Sequence, residues 1–241
     1  MSIAIIPARG GSKRIPRKNI KLFCGEPMIS YPIKAALQSG CIERVIVSTE
    51  DEEIASIARS YGAETPFMRP KELADDYTGT SAIVRHALNW LAEQQQTIDF
   101  ACCLYATTPL LRPEDLKAGL AILKANSELD FVFSAARFSF PIQRALLQDG
   151  QGGVRPFDRD SIKKRSQDLA PTFHDAGQFY WGKASSWLQS GTTIFGPSSR
   201  MLVLPDHRVQ DIDTPDDWHR AEVLYQLLQQ EQHHAGTVSG R

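Results

Sequence analysis

The stretch IAIIPARGGSKRIPRKN, residues 3–19, decides the fold predicted for this chain. Its first four residues, Ile3 to Ile6, are apolar and mostly β-branched, which is the pattern of one buried strand. Gly10 and Gly11 follow, with a proline on either side of them, so no helix can continue from the strand. The stretch therefore predicts a buried strand that runs directly into an irregular loop.

This loop is strongly basic. In a chain whose formal net charge is only −1, residues 9–18 hold five cations and no acid: Arg9, Lys13, Arg14, Arg17 and Lys18. A basic, glycine-containing loop after a buried strand is suited to bind a polyphosphate, although a solvated basic loop is an alternative. The glycine spacings of P-loop ATPases and of dinucleotide-dependent dehydrogenases are both absent, which excludes those classes.

Strands and helices alternate after the loop. Ile29, Ile33 and Leu37 share one helix face, residues 44–49 form a second apolar strand, and another helix follows. This order predicts an α/β, Rossmann-like, doubly wound and mostly parallel sheet, whose ligands bind at the carboxyl ends of the strands. Acidic residues follow the second strand at the same edge, and we attribute them to helix capping with Thr49 as the cap.

Residues 138–175 interrupt this alternation with scattered apolar residues and a glycine-rich segment at 150–153, which predicts a hairpin tip. Such an insertion cannot bury itself in a doubly wound sheet and needs another surface. We therefore expect one domain, residues 1–241, with residues 138–175 as an inserted arm.

A pair of acids lies far along the chain. Asp211 and Asp213 are separated by one residue, so both carboxylates project to the same side of an extended chain. Mg²⁺ prefers one or two carboxylates together with phosphate oxygens and water. The pair therefore predicts a magnesium site, with a simple acidic turn as the alternative, and Thr214 and Pro215 predict the start of the last helix.

The composition, with 42% hydrophobic and 23% charged residues, is that of an ordinary globular protein. No apolar run is long enough for a membrane span and no signal-peptide pattern precedes the first strand, so we expect a cytoplasmic protein without a membrane partner. Basic tracts are absent beyond the loop, which argues against nucleic acid as a partner. Four cysteines without C-x-x-C spacing predict reduced, buried thiols.

The motif PARGGSKRIPRKNI, residues 7–20, resembles the N-terminal signature of the CMP-nonulosonic acid synthetases, the cytidylyltransferases that activate sialic-acid-like sugars with CTP. The resemblance continues in order to about residue 228. It implies a nucleotidyltransferase domain, Mg²⁺ as cofactor on Asp211 and Asp213, CTP as co-substrate, and a homodimer in which residues 138–175 are the dimerisation arm. Arg165 on that arm would contribute a cation to the partner's site.

The same resemblance implies roles for the loop. Lys18, Arg9 and Lys13 are expected to be catalytic, because their charges would stabilise the departing pyrophosphate, and Lys18 ranks first. Thr80 and Ser81 are pocket candidates, with capping of their helix as the alternative. The full predicted nucleotide-binding set is Ala8, Arg9, Gly10, Gly11, Ser12, Lys13, Asn19, Thr80, Ser81 and Tyr105.

Two departures from the sialic-acid enzymes indicate the branch of the family. Those enzymes usually read Gln-Pro-Thr-Ser-Pro where this chain has YATTP, residues 105–109, and a tyrosine cannot replace the donor and acceptor of an amide. The segment HDAGQFYW, residues 174–181, and the preceding RSQDL, residues 165–169, resemble the pseudaminic-acid branch. The predicted sugar-binding residues are Arg165, Gln167, His174, Asp175, Gln178 and Tyr180.

The resemblance therefore implies an enzyme that forms a CMP-activated sugar and pyrophosphate, with pseudaminic acid as the expected sugar. Activation of sialic or legionaminic acid by the same chemistry is one alternative, and a catalytically silent nucleotide-sugar binding protein is another. The enzymatic prediction requires Lys18, near the amino end, and Asp213, near the carboxyl end, to meet at one site.

Overall fold

The computed structural model describes residues 1–75 and 78–238, with side chains described as far as residue 231. The helices are α1 Ser30–Gln38, α2 Glu52–Ser60, α3 Thr80–Glu93, α4 Pro113–Ala125, α5 Ala184–Leu188 and α6 Pro215–Val238. The strands are β1 Ser2–Pro7, β2 Leu22–Phe23, β3 Glu26–Pro27, β4 Arg44–Ser48, β5 Phe100–Leu104, β6 Phe131–Arg137, β7 Leu146–Gln148, β8 Val154–Pro156, β9 Phe173–Lys183 and β10 Ser199–Leu204.

Six strands form the central sheet in the order β10-β6-β9-β5-β1-β4. β1 pairs in parallel with both β4 and β5, and β6 pairs in parallel with β10. β9 runs antiparallel between β5 and β6. The predicted α/β, Rossmann-like, mostly parallel sheet is confirmed, and the carboxyl ends of β1, β4 and β5 share one edge.

The apolar run of β1 is buried on both faces of the sheet. Ala4 and Ile6 pack into the core on one side, and Ile3 and Ile5 pack into the core on the other. This division follows from the two-residue period of a strand, and it explains why the run is continuously apolar. Because β1 is fixed in the middle of the fold, the loop that follows it has a fixed starting point.

The insertion between β6 and β9 contains the small hairpin β7–β8, whose tip includes Gly152 at φ +85°. The predicted hairpin is therefore present. Several apolar side chains of the insertion are exposed, among them Phe140 at 85%, Leu146 at 61% and Val154 at 64%. The use of this arm in dimerisation stays a prediction.

Two smaller expectations were wrong. Asp51, not Thr49, caps α2, because its side chain accepts the hydrogen bond from the Ile54 amide. Of the cysteines, Cys102 and Cys103 are buried in β5, but Cys24 is exposed. Among the described residues, no helix combines the length and apolarity that crossing a membrane requires.

Candidate active site

A pocket of about 570 Å³ opens at the edge where β1, β4 and β5 end. It is lined by seven of the residues that the sequence predicts as site residues: Arg9, Ser12, Lys13, Lys18, Asn19, Tyr105 and Asp213. Arg14, Arg69, Asp75, Thr78 and Thr107 also line it. The pocket therefore joins the basic loop to a residue from the far end of the chain.

Lys18 and Asp213 meet in this pocket although 195 positions separate them in the sequence. The Lys18 Nζ atom donates to the Ile212 carbonyl at 2.6 Å and lies 3.3 Å from Asp213 Oδ1. The Arg14 guanidinium lies 2.8 Å from Asp213 Oδ2. Both oxygens of one carboxylate are thus held by cations of the loop, which is the convergence that the enzymatic prediction requires.

The start of α6 fixes the acidic pair. Asp217 accepts hydrogen bonds from the backbone amides of Asp213, at 3.2 Å, and of Thr214, at 2.9 Å. The Thr214 hydroxyl in turn accepts the Asp217 amide, so the predicted cap is present. Although Asp211 is exposed as a residue, desolvation of its carboxyl and the nearby Asp213 raise its pKa. The two carboxylates therefore repel each other across a short distance.

This donor set fits magnesium. Asp211 and Asp213 are hard oxygen ligands whose mutual repulsion a divalent cation would relieve. Among the residues that the structure describes, no group of three or more His, Cys, Asp or Glu side chains could hold a metal.

The other cations of the loop are oriented by the protein itself. Arg17 forms a bidentate contact with Asp51, which raises the pKa of Arg17 and lowers that of Asp51, and it also contacts Glu53. Arg9 donates to the Asp75 carbonyl at 3.1 Å, and the Asn19 side chain donates to the Arg9 carbonyl at 2.9 Å. These contacts leave Lys13, Arg14 and Lys18 with Arg9 around the pocket.

The small residues of the loop serve the protein's own packing. The Ala8 amide donates to the Ser48 carbonyl, and the Gly10 amide donates to Glu50 Oε1 at 2.8 Å. A Cβ atom on Gly10 would come within 2.4 Å of Asp51 Oδ2, whereas one on Gly11 would meet nothing within 4 Å. Gly10 is therefore approached by a carboxylate of the protein, and the amides of Ala8 and Gly10 are already bonded to Ser48 and Glu50.

Tyr105 joins the pocket to the neighbouring helix. Its hydroxyl lies 3.4 Å from the Thr80 hydroxyl, and burial raises its pKa. Thr80 is the first residue of α3, whose N-cap is Gly79 without a side-chain cap bond, so the capping alternative for Thr80 is wrong. Ser81 is the next residue of that helix and does not line the pocket.

Two predicted sugar residues form a second polar group beside Tyr105. The Tyr180 hydroxyl donates to Asp175 Oδ2 at 2.5 Å, and the Tyr105 and Tyr180 rings lie 5.2 Å apart. Burial and the adjacent Tyr105 raise the pKa of Tyr180, so it is a neutral donor. His174 turns its Nδ1 atom to the Asp175 carbonyl at 2.8 Å rather than to the carboxylate, so the two side chains do not form an acid/base pair.

The remaining sugar candidates lie elsewhere. Gln178 is only 3% exposed, and its amide donates to the Arg208 carbonyl at 2.6 Å, so this side chain supports the segment before the acidic pair instead of facing the pocket. Arg165 is exposed and paired with Asp168 three residues away. Gln167 lines a separate cavity of about 410 Å³ between the arm and the end of β6. The structure does not bring these three to the pocket.

Sequence reasoning missed three residues around the basic loop. Glu50 and Asp51 contact Gly10 and Arg17, and the almost fully buried Arg69 lines the pocket while paired with Glu50 at 2.5 Å. A signal existed for the two acids, since they follow β4 at the same sheet edge as the loop. Their capping role offered a sufficient explanation, and Arg69 comes from a segment without periodicity.

Comparisons with known proteins identify relatives of this chain. A family model described as cytidylyltransferase matches residues 3–144. The chain is 47% identical over 226 residues to a pseudaminic acid cytidylyltransferase of Campylobacter jejuni, covering 94% of this chain and 97% of that protein. It is 33% identical to a CMP-N,N'-diacetyllegionaminic acid synthase of Legionella pneumophila, with 95% and 97% covered.

Solved structures resemble the fold. A CMP:2-keto-3-deoxy-manno-octonic acid synthetase determined in complex with CTP superimposes with a TM-score of 0.70 at 18% identity, covering 95% of this chain and 99% of that one. A likeness at this level of identity shows a common α/β architecture.

Proposed function

We propose, from the premise that this chain belongs to the cytidylyltransferase family, that it joins CTP to pseudaminic acid to give CMP-pseudaminic acid and pyrophosphate. The relatives that share nearly half of its residues over almost its full length support both the reaction and the sugar. The chain is thus a CMP-sugar synthetase. The roles of single residues, the metal and the oligomeric state are proposals that rest on the geometry.

One observation carries the mechanism: Lys18 and Asp213, from opposite ends of the sequence, meet in the pocket of the basic loop. A site that only binds a nucleotide does not need cations and an acidic pair at the same place. A site that transfers a nucleotidyl group does, because negative charge increases on the departing pyrophosphate during the reaction.

In this mechanism the anomeric hydroxyl of the sugar attacks the α-phosphorus of CTP in line with the leaving group. The new bond joins the sugar oxygen to the α-phosphorus, the bond to the β-phosphate oxygen breaks, and the hydroxyl proton is released. Lys18, Arg9 and Lys13 hold the phosphates and stabilise the leaving charge, while positioning by the pocket supplies much of the remaining acceleration.

Asp211 and Asp213 are the residues that would hold Mg²⁺. Bound there, the ion would neutralise the α-phosphate and lower the pKa of the attacking hydroxyl. In the structure, Lys18 and Arg14 occupy both oxygens of Asp213. We infer that they turn to the phosphates when CTP enters, because a triphosphate is the stronger partner, and that this exchange frees Asp213.

The arm supports a homodimer. Phe140, Leu146, Val154 and Phe157 are between 59% and 85% exposed on it. An apolar surface of this kind on a projecting hairpin is typical of a protein interface. The proposed partner is a second copy of the chain, to whose site Arg165 would add a cation. The sugar contacts of His174, Asp175 and Tyr180 and a cytoplasmic location also stay predictions.

Pyrophosphate release from CTP tests the function, with pseudaminic, legionaminic and sialic acids as parallel substrates and Mg²⁺ present. We expect release with all the required components, highest kcat/KM for pseudaminic acid, and none without sugar. A preference for another of the three sugars would overturn the substrate. CTP binding without release for any of them would instead indicate a silent binding protein.

A further inference from the structure

Glu50, at the end of β4, contacts both sides of the candidate active site. Its Oε1 atom accepts the Gly10 amide at 2.8 Å, and its Oε2 atom accepts from the Arg69 guanidinium at 2.5 Å. Gly10 belongs to the basic loop after β1, and Arg69 belongs to the segment that follows α2 along the other wall. One carboxylate therefore connects two walls that come from different parts of the chain.

A negative charge in this position is unfavourable for a site that binds a triphosphate. By simple Coulomb repulsion, a carboxylate beside the phosphates weakens the binding of an anion. Glu50 does not line the pocket, and its side chain is 22% exposed. Glu50 therefore does not offset this repulsion by binding the nucleotide itself. Its contribution must come from its contacts with Gly10 and Arg69.

Arg69 depends on this contact. Its side chain is 2% exposed, it lines the pocket, and its Nε atom is buried without a hydrogen-bond partner among the described residues. The Arg69 amide donates to the Thr49 carbonyl at 2.8 Å, so its backbone is also attached to the end of β4. Removal of the Glu50 charge would leave a buried guanidinium without its ion pair, which is costly unless the side chain moves.

Gly10 is held with similar precision. Asp51 approaches it so closely that a Cβ atom could not be accommodated without a shift. The two consecutive acids thus press the loop against the end of β4, Glu50 through the Gly10 amide and Asp51 through Arg17. Among the described contacts, Glu50 bonds to both Gly10 and Arg69, and it therefore links the position of the loop to that of Arg69.

We propose that Glu50 is a positioning residue for the nucleotide: its carboxylate fixes the basic loop and Arg69 at the separation that CTP requires. This inference rests on the proposed function, because it assumes that CTP occupies the pocket. It gives a prediction opposite in sign to simple electrostatics. Removing a negative charge near a triphosphate site should strengthen CTP binding by Coulomb's law, but loss of the positioning contact weakens it.

The test compares Glu50→Gln with the parent chain by calorimetric titration with CTP and Mg²⁺ without sugar, and then by steady-state kinetics. We expect the Kd and the KM for CTP to rise about 10- to 100-fold, the loss typical of a charge-assisted contact, while the KM for the sugar is unchanged. Glu50→Asp keeps the charge but is too short to reach both partners, and we expect it to recover part of the CTP affinity.

Glu64→Gln is the matched control. Glu64 also pairs with an arginine, Arg44 of β4, at 2.5 Å, but neither residue lines the pocket. This variant should bind CTP like the parent. The double variant Glu50→Gln with Arg69→Met should lose less CTP affinity than the sum of the two single losses, because the two residues act through one contact.

Unchanged or tighter CTP binding by Glu50→Gln would overturn the positioning role. A parallel rise of both KM values with a fall in melting temperature would also overturn it, because it would indicate a general structural role. If Glu50→Gln does not fold, Glu50→Asp tests the contact alone at constant charge: it should bind CTP more weakly than the parent, and unchanged binding would overturn the positioning role. A parent chain that does not bind CTP would overturn the proposed function and the inference with it.

Discussion

The basic loop and the inserted arm are both segments outside the central sheet, but they differ in the contacts that hold them. Residues 9–19 are held by partners 34 to 195 positions away, including Asp51, Glu50 and Asp213. Residues of the arm mostly contact other residues of the arm. The amides of Gln151 and Gly153, for example, both donate to Asp149. The loop is complete within one chain, whereas the arm leaves its apolar side chains uncovered. The difference is what the proposals of a catalytic loop and an assembly arm would both require.

The largest effect is expected from Lys18→Met. Loss of its charge removes a stabilising contact to the pyrophosphate, and kcat should fall about 10²- to 10³-fold, as for other preorganised donors. Lys34→Met is the control, since Lys34 pairs with Glu26 outside the pocket. Pyrophosphate release at saturating CTP is the measurement. A rate for the Lys18 variant within about threefold of the control would show that the charge of Lys18 does not contribute to catalysis.

Asp211→Asn should weaken the use of Mg²⁺ but raise the stability of the metal-free chain. The Mg²⁺ concentration for half-maximal rate should rise at least about 10-fold, because even indirect partners of metal ligands are worth that much. The raised pKa of Asp211 means that its charged form opposes folding, a penalty present above its ordinary pKa and relieved as the pH falls. At neutral pH without Mg²⁺, the variant should therefore melt slightly higher than the parent, and the gain should be small because solvent screens the repulsion at this exposed residue.

Both readouts matter for this prediction. Scanning calorimetry at pH 7 and at pH 4 should show the stability gain shrinking at the lower pH, because the raised pKa makes protonation of the parent carboxyl begin at a higher pH in the folded chain than in the unfolded chain. An unchanged magnesium requirement would show that the acidic pair does not hold the ion, whatever happens to the melting temperature.

For the arm, Phe140→Ser combined with Leu146→Ser should convert a dimer to a monomer. Both side chains are largely exposed in the single chain, so their loss should change the melting temperature of the monomer very little. Light scattering after gel filtration should show a mass that falls about twofold toward 26.9 kDa. A parent chain that is already monomeric, or a variant that remains dimeric, would separate the arm from assembly.

The smallest effect is expected from Arg165→Ala. Its pair with Asp168 is exposed, so the free energy of unfolding should change by less than about 0.5 kcal/mol. If the arm supplies this cation to the partner's site, the KM for the sugar should rise several-fold without a change in the KM for CTP. Lys163→Ala on the same arm is the control. Equal kinetics for both variants would limit the arm to assembly.

Local patterns in the sequence were enough to predict much of the fold and of the phosphate side of the site. The apolar run of β1, the basic loop and the Asp211–Asp213 pair each have a spacing that is physically specific. The meeting of Lys18 with Asp213 followed from the resemblance to the CMP-nonulosonic acid synthetases, which requires the two residues to lie at one site. Its geometry did not, because it depends on how α6 is capped.

The sugar side was less predictable for a definite reason. Gly177, at φ +61°, and a shift of register between β6 and β9 near Phe133 and Ala135 interrupt the alternation of faces. Gln178 consequently lies in the core, whereas His174 and Asp175 of the same motif are exposed. The insertion of β9 between β5 and β6 depends on long-range pairing, which no short pattern contains.

The contact between Lys18 and Asp213 also has a consequence for synthesis of the protein. Chains leave the ribosome amino end first, so the sheet strands can pair before the segment from Asp211 onward has been synthesised. The nascent polypeptide then has its basic loop without the acidic partner from the segment before α6. Nucleotide turnover should therefore become possible only after residues 211–213 have been synthesised, and a chain truncated before Asp211, which also loses the core residues Ile212, Trp218 and Ala221, should be inactive.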